Sequence, residues 1–329
     1  MAALAGAVDS GDTIVREPPL MRSLPDGRRL HLHDGPIDLI VEAFGEAHAI
    51  RVAYRAAIER FPTILDELCS ELNLLRQPAC PGGSWPQGVI ARRMRRAVAP
   101  YGDRTFITPM AAVAGAVAEE VLSVMTSAAQ LSRAYVNNGG DIALHLKPGH
   151  HFTVGMVERP DRPSLFGAVR VRSAHPSRGI ATSSWRGRSF SLGIADAVTV
   201  LAASAAVADA AATVIANAVD LPGHPAVVRV PACELDPDSD LASLRVTCAV
   251  GELEAGEVTQ ALSAGASVAR SLCAAGLIHA AALCLRGKTR AVGVPVPEMT
   301  VGALDPVASG HGSSRALQSL HLDSQRGRS

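Results

Sequence analysis

The sequence predicts an α+β fold with antiparallel or mixed sheets. Three observations carry that class: short apolar strands arrive in runs, helices arrive singly between the runs, and strict βαβ alternation is missing. At 329 residues, 48% hydrophobic and 19% charged, the chain is long enough to bury a sizeable core and too apolar to be mainly disordered. Each half carries strands followed by a helix of small residues, which points to an internal duplication.

The elements follow in order. Residues 1–26 mix charge, proline and glycine without period and read as an N-terminal tail; residues 295–329 read likewise as a C-terminal tail, leaving 27–294 as the folded domain. "RRLHLHDGPIDLIVEAFG" alternates on both sides of Asp34 and Gly35, the composition of a hairpin. An amphipathic helix follows, with Ile50, Tyr54, Ala57, Ile58, Phe61, Leu65 and Leu68 at helical spacing and Pro62 set to bend or divide it. The prolines and glycines of "QPACPGGSWPQG" (77–88) make a loop, and the basic "ARRMRRAV" after it is either a solvated helix face or a contact for phosphate or an acidic partner. "TPMAAVAGAVAEEVLSVM" reads as a buried helix with Thr108 as N-cap and Pro109 in its first position. "AYVNNGGDIALHL" reads as strand, glycine turn, strand. "HFTVGMVE", "FGAVRVRS", "RSFSLG" and "DAVTVLA" are further strands, and Ser204 is the N-cap of the next helix. A strand at "ASLRVTCAV", a helix over 255–275 and a strand at "AAALCLRG" complete the domain.

Composition limits the partners. Formal net charge is zero and aromatic residues are 3%, so there is neither a global field for phosphate backbones nor a set of stacking platforms, and no nucleic-acid partner is expected. The six cysteines form no CxxC pair or zinc-ligand spacing and read as reduced core thiols. The N-terminus lacks the basic and apolar regions of a secretion signal, and the alanine-rich runs contain acidic residues. A cytoplasmic protein without a membrane partner is the expectation, and a homodimer is the commonest oligomer to expect.

In the helix containing "ADAAATVIAN" (208–217), Asp209, Thr213 and Asn217 recur every fourth residue among alanines and branched aliphatics. Four residues advance a helix by roughly 400° and about 6 Å, so the three side chains share a face. A buried carboxylate there requires a hydrogen-bond network, an arginine or a cation. "NNGGD" (137–141) is either a tight turn needing positive φ or a place where Gly139 and Gly140 let a ligand reach the backbone while Asp141 contacts it. His150 and His151 in "HLKPGHH" are adjacent and would point to opposite faces of a strand, which disfavours a metal site. "GIATSSWRGRSFSLGIADA" offers the hydroxyls of Thr182, Ser183 and Ser184, the cations Arg186 and Arg188, and Asp196 at the start of an apolar strand. No familiar nucleotide-binding or hydrolase motif occurs.

Taken together, "NNGGDI", "GIATSS" and "ADAVTVLAASAAVADAAAT" resemble the ApbE-like proteins, the family that includes FAD:protein FMN transferases, and most closely a shorter, poorly characterised branch of it. The resemblance covers most of 27–293 and is specific over 137–217. It implies an α/β roll of two related subdomains with FAD in the cleft between them. It also implies Mg2+ bridging the pyrophosphate to Asp209 and Thr213, a role magnesium fills with few protein oxygens. Asn138, Gly139, Gly140 and Asp141 would line the flavin side, and Thr182 and Ser183 would hydrogen-bond the cofactor. Asp209 and Asp196 are the implied catalytic carboxylates, with Asn217 at the edge of the site or in a helix-packing bond. In the family reaction an acceptor hydroxyl on a partner flavoprotein attacks the pyrophosphate, leaving the flavin as a phosphoester and releasing AMP.

The sequence also departs from the family. The histidine and the Asp-Pro-Arg-Thr-Gly run expected after the Ala-Thr-Ser segment are missing, and no histidine lies between His175 and His224. Ala114 stands where a lysine is common before Gly115, and Ser184 replaces a glycine. Alternatives from other classes are therefore a non-catalytic flavin-binding maturation factor and an enzyme using the same cleft for another small anion.

Overall fold

The structure is a computed structural model that describes residues 17–157, 165–293 and 299–301. Its elements are β1 (Leu20–Ser23), β2 (Leu30–Asp34), β3 (Ile37–Phe44), α1 (Ala47–Arg60), α2 (Ile64–Ser70), α3 (Leu72–Leu75), α4 (Val89–Val98), α5 (Val113–Ala128), β4 (Arg133–Asn138), β5 (Asp141–Leu146), β6 (His151–Val157) and β7 (Leu165–Arg172). These are followed by β8 (Gly179–Ser183), β9 (Ala197–Ala202), α6 (Ala205–Ala218), β10 (Val227–Pro231), α7 (Ala232–Leu235), β11 (Arg245–Val250), α8 (Ala255–Ala274), β12 (Ala280–Leu285), β13 (Lys288–Gly293) and β14 (Met299–Val301).

A single antiparallel sheet runs β1-β2-β3-β4-β5-β8-β9-β12-β13. The predicted α+β class is what the chain adopts. Within the sheet the chain executes one pattern twice: hairpin β2–β3, helix α1, then helix α5 and hairpin β4–β5; hairpin β8–β9, helix α6, then helix α8 and hairpin β12–β13. The two units join where β5 meets β8, at Ile142↔Ile180 and Ala143↔Gly179.

Side-chain alternation sorts the two faces. Leu39 and Val41 enter the main core with Ala53 and Ala57 of α1, Val117 and Val121 of α5, Ala208 and Ile215 of α6, and Leu262 and Ala266 of α8. Ile40 and Phe44 point the other way, into a second core where Tyr135, Leu144 and Leu201 meet Phe152, Val154, Val169 and Val171 of the small β14-β7-β6 sheet. All six residues of β9 are buried because both of its faces are covered.

Several local expectations hold. Gly35 supplies the positive φ of the β2–β3 turn, Pro62 divides α1 from α2 through a 3-10 turn at Phe61–Thr63, and the Ser204 hydroxyl accepts Val207 N at 3.4 Å to cap α6. Others do not. A 3-10 turn, Pro109–Ala112, separates Thr108 from α5, and the Thr108 hydroxyl donates to Asp240 instead of capping a helix. Residues 188–193 form no strand: a Cβ on Gly193 would lie 2.1 Å from Ala216 O, and that close approach to the end of α6 bends the segment. β1 pairs with β2 from within the stretch read as a tail, and β14 pairs with β7 from beyond residue 294; most of both predicted tails lies outside the described residues. Among the described residues one helical stretch, Pro109–Ala128, is long and apolar enough by composition to cross a membrane, and most of its buried residues belong to the main core.

Candidate functional site

The site forms where the two units cross. Gly115, near the start of α5, packs on the first turn of α6 so closely that a Cβ would lie 2.3 Å from Ala205 O. Only glycine permits that approach. Each helix then caps the other: Glu119 of α5 accepts Ala206 N at 2.7 Å, and Asp209 of α6 accepts Gly115 N at 3.0 Å together with the N–H of Ala114. The exchange is nearly symmetric, since Gly115 and Glu119, like Ala205 and Asp209, are four residues apart.

The charges behind the two caps differ. Glu119 is paired with Arg93, whose Nε lies 3.0 Å from its carboxylate. Asp209 instead has a second carboxylate, Asp141, as the charged neighbour that acts on it. Burial, then the charge of Asp141, holds the Asp209 carboxyl well above its ordinary range, against the opposing N–H groups of Gly115 and Ala114. Burial pushes Asp141 up to about 7, against the Thr182 N–H at 3.3 Å and the charge of Arg188. Two acids thus sit in one place where neither is comfortably ionised.

The glycine turn puts Asp141 there. Asn138 and Asp141 close the β4–β5 pair around Gly139 (φ +64°) and Gly140 (φ +116°), and Asn137 Oδ1 accepts Gly140 N at 2.8 Å. The Arg188 guanidinium lies directly on this turn, 1.9 Å from where a Gly139 Cβ would be. Asn138 is buried and donates to Ala114 O at 3.2 Å, so it ties the turn to the start of α5 beside the amides that Asp209 accepts. Thr182 reaches the site by its backbone N–H, while its hydroxyl pairs with Thr199 at 2.9 Å. Ser183, half-buried, ends β8 beside it.

Of the helical stripe, Asp209 and Thr213 remain half-buried one turn apart. Asn217 is occupied elsewhere: its Oδ1 accepts Leu192 N at 2.9 Å and the Ser191 hydroxyl at 3.2 Å, the helix-packing alternative. Asp196 is engaged by other groups. Its carboxylate accepts Arg286 N at 2.7 Å and the Trp185 indole at 3.3 Å and lies 3.5 Å from Arg186 Nε, so it fastens the 184–187 loop to the β12–β13 turn. Sequence reasoning missed the Ala114 and Gly115 amides and Thr199; the paired offsets Gly115/Glu119 and Ala205/Asp209 were the available signal.

A family model described as "AbpE bacteria" matches residues 21–291. Among curated relatives, the UPF0280 protein of Methanopyrus kandleri is 40% identical over 129 residues, 39% of this chain and 48% of that protein. That of Methanothermobacter thermautotrophicus is 41% identical over 138 residues, 41% and 50%. The Methanococcus maripaludis relative is 36% identical over 163 residues, 47% and 64%. The chain spans about half the length of the first two and under two thirds of the third. Among solved structures, a histidine-to-glycine mutant of flavin transferase ApbE from Vibrio cholerae aligns with 84% of this chain and 97% of its own, at 12% identity and TM-score 0.36.

Proposed function

This chain belongs to the AbpE bacteria family, as the resemblance led one to expect, and from that premise we propose that it binds a flavin nucleotide, FAD, with Mg2+ at the Asp209–Asp141 site. The observation that carries the reading is the contrast between the two reciprocal caps: Glu119 has its arginine, whereas Asp209 has a second acid. A structural cap needs no second carboxylate. A site for a cation gains from one.

The donor set fits magnesium. Two carboxylates and the Thr213 hydroxyl are all oxygens, and magnesium takes few protein ligands when phosphate and water complete its shell. No group of three or more His, Cys, Asp or Glu poised for a metal occurs among the described residues, so a site built without phosphate is not the expectation. When bound, the cation would neutralise charge on a pyrophosphate. The chain's own groups would do the rest. Gly139 and Gly140 leave the turn without side chains where the ligand approaches, and Arg188 meets phosphate charge at that turn. Asn138, Gly139, Gly140 and Asp141 line the flavin side, while Ser183 and Thr182, through the hydroxyl it shares with Thr199, hydrogen-bond the cofactor.

FMN transfer to an acceptor flavoprotein is the extension of this reading. A second reading, binding without transfer, is favoured by one specific feature: no histidine lies between His175 and His224 to take the acceptor's proton. The test is to incubate the protein with FAD and magnesium, filter it, and quantify FAD, FMN and AMP in both fractions. Intact FAD retained with magnesium and released by EDTA supports binding, and stoichiometric AMP with a flavinylated partner supports transfer. Retention that ignores both EDTA and Asp209→Ala refutes the site.

A further inference from the structure

Away from this site, the loop 77–88 covers a cavity of about 400 Å³ against α3 and α4. The loop is pinned at three points: Ala79 N donates to Ile107 O at 2.8 Å, Arg95 Nη2 donates to Cys80 O at 2.5 Å, and the Glu71 carboxylate accepts Gln87 N and Gly88 N at 2.6 and 2.7 Å. The cavity is therefore held open by bonded structure.

The four arginines of α4 have different fates. Arg92 and Arg96 are exposed, and Arg93 pairs with Glu119 and Glu120. Arg95 is 7% exposed, lines the cavity, and pairs with no carboxylate among the described residues. Its guanidinium uses one N–H on Cys80 O and lies 5.4 Å from the centre of the Trp85 ring. A planar cation with five N–H groups, buried and met by one carbonyl and one ring, favours an anion.

The remaining walls narrow the anion's class. Leu74, Leu75, Pro86 and Pro109 form an apolar side, Gln77 and Ser84 are polar and uncharged, and no second lysine or arginine lines the space. A phosphate dianion would leave one of its charges unmet by the single guanidinium there, whereas a monocarboxylate matches it. We propose that the cavity binds a small organic monocarboxylate, its carboxylate on the Arg95 guanidinium and its apolar body against Leu74, Leu75 and Pro86.

The test titrates the full chain with benzoate and, separately, with inorganic phosphate, reading affinity by ligand-observed NMR. Two variants accompany it. Arg95→Met removes the cation, and Leu74→Trp fills the cavity from a different wall while leaving the Arg95–Cys80 clamp in place. Benzoate binding by the unmodified protein, weakened by about tenfold or more in both variants, is the expected result. No benzoate binding at millimolar concentration, preference for phosphate, or affinity unchanged in either folded variant overturns the proposal.

Discussion

Asp209 of α6 accepts the backbone N–H of Gly115 of α5 at 3.0 Å, joining two residues 94 positions apart in the chain. This bond crosses from one repeated unit to the other and holds Asp209 within reach of the Asp141 charge. Stability and ligand binding therefore compete at the same carboxylate, and the two can be separated by mutation.

Asp141→Asn keeps an oxygen for the Thr182 N–H and removes one of the two acids. The cation-free protein is expected to gain about 1 kcal/mol, a rise of roughly 2–4 °C in thermal midpoint. Stabilisation by magnesium and FAD is expected to vanish. Thermal melts with and without both ligands read the two effects together; a variant that melts lower and still responds to them contradicts the account.

Gly115→Ala places a methyl 2.3 Å from Ala205 O, which is backbone and cannot swing aside. A loss of about 2 kcal/mol or more is expected as α5 and α6 are forced apart. Gly256→Ala is the control, because nothing lies within 4 Å of its Cβ position at an exposed site in the first turn of α8. That change is expected to stabilise by about 0.5–1 kcal/mol. Denaturant unfolding of the pair decides the point.

Asn217→Ala removes the acceptor for Leu192 N and the Ser191 hydroxyl. The expected cost is about 1–2 kcal/mol, with magnesium-dependent flavin binding unchanged once the protein is folded. Loss of that binding in the folded variant would return Asn217 to the site.

His175 and His279 stack edge to face at 5.8 Å, and burial lowers both pKa values, with the neighbouring His279 and Arg178 charges adding to the effect on His175. The unfolded chain therefore takes up protons first as pH falls. This contribution to stability is intact above the ordinary histidine value of 6.5 and is lost as pH drops below it. Denaturant midpoints at pH 7.5 and 5.5 should fall less in His279→Gln than in the unmodified chain.

Much of this was legible in the sequence because it is local. The Asp209–Thr213 stripe, the two-glycine turn, the Pro62 break and the Ser204 cap each follow from spacing or from one residue's backbone limits. What escaped is what the chain makes at a distance. Asp196 opens an apolar strand and looks like a site residue, yet Arg286 N, 90 positions on, claims its carboxylate. Thr108 has the position of an N-cap and spends its hydroxyl on Asp240. The reciprocal capping of α5 and α6 depends on how closely Gly115 lets them approach, and the matching four-residue offsets Gly115/Glu119 and Ala205/Asp209 hint at it without showing that the two helices meet.

The most direct test of the central claim follows FAD fluorescence anisotropy while magnesium is titrated into the unmodified protein, Asp209→Asn and Thr213→Ala. Anisotropy that rises with magnesium, collapses on EDTA and fails to rise in the Asp209 variant, with Thr213→Ala requiring more magnesium, is the predicted result. Anisotropy indifferent to magnesium, or identical in all three proteins, would show that the two acids are not a magnesium-dependent flavin site.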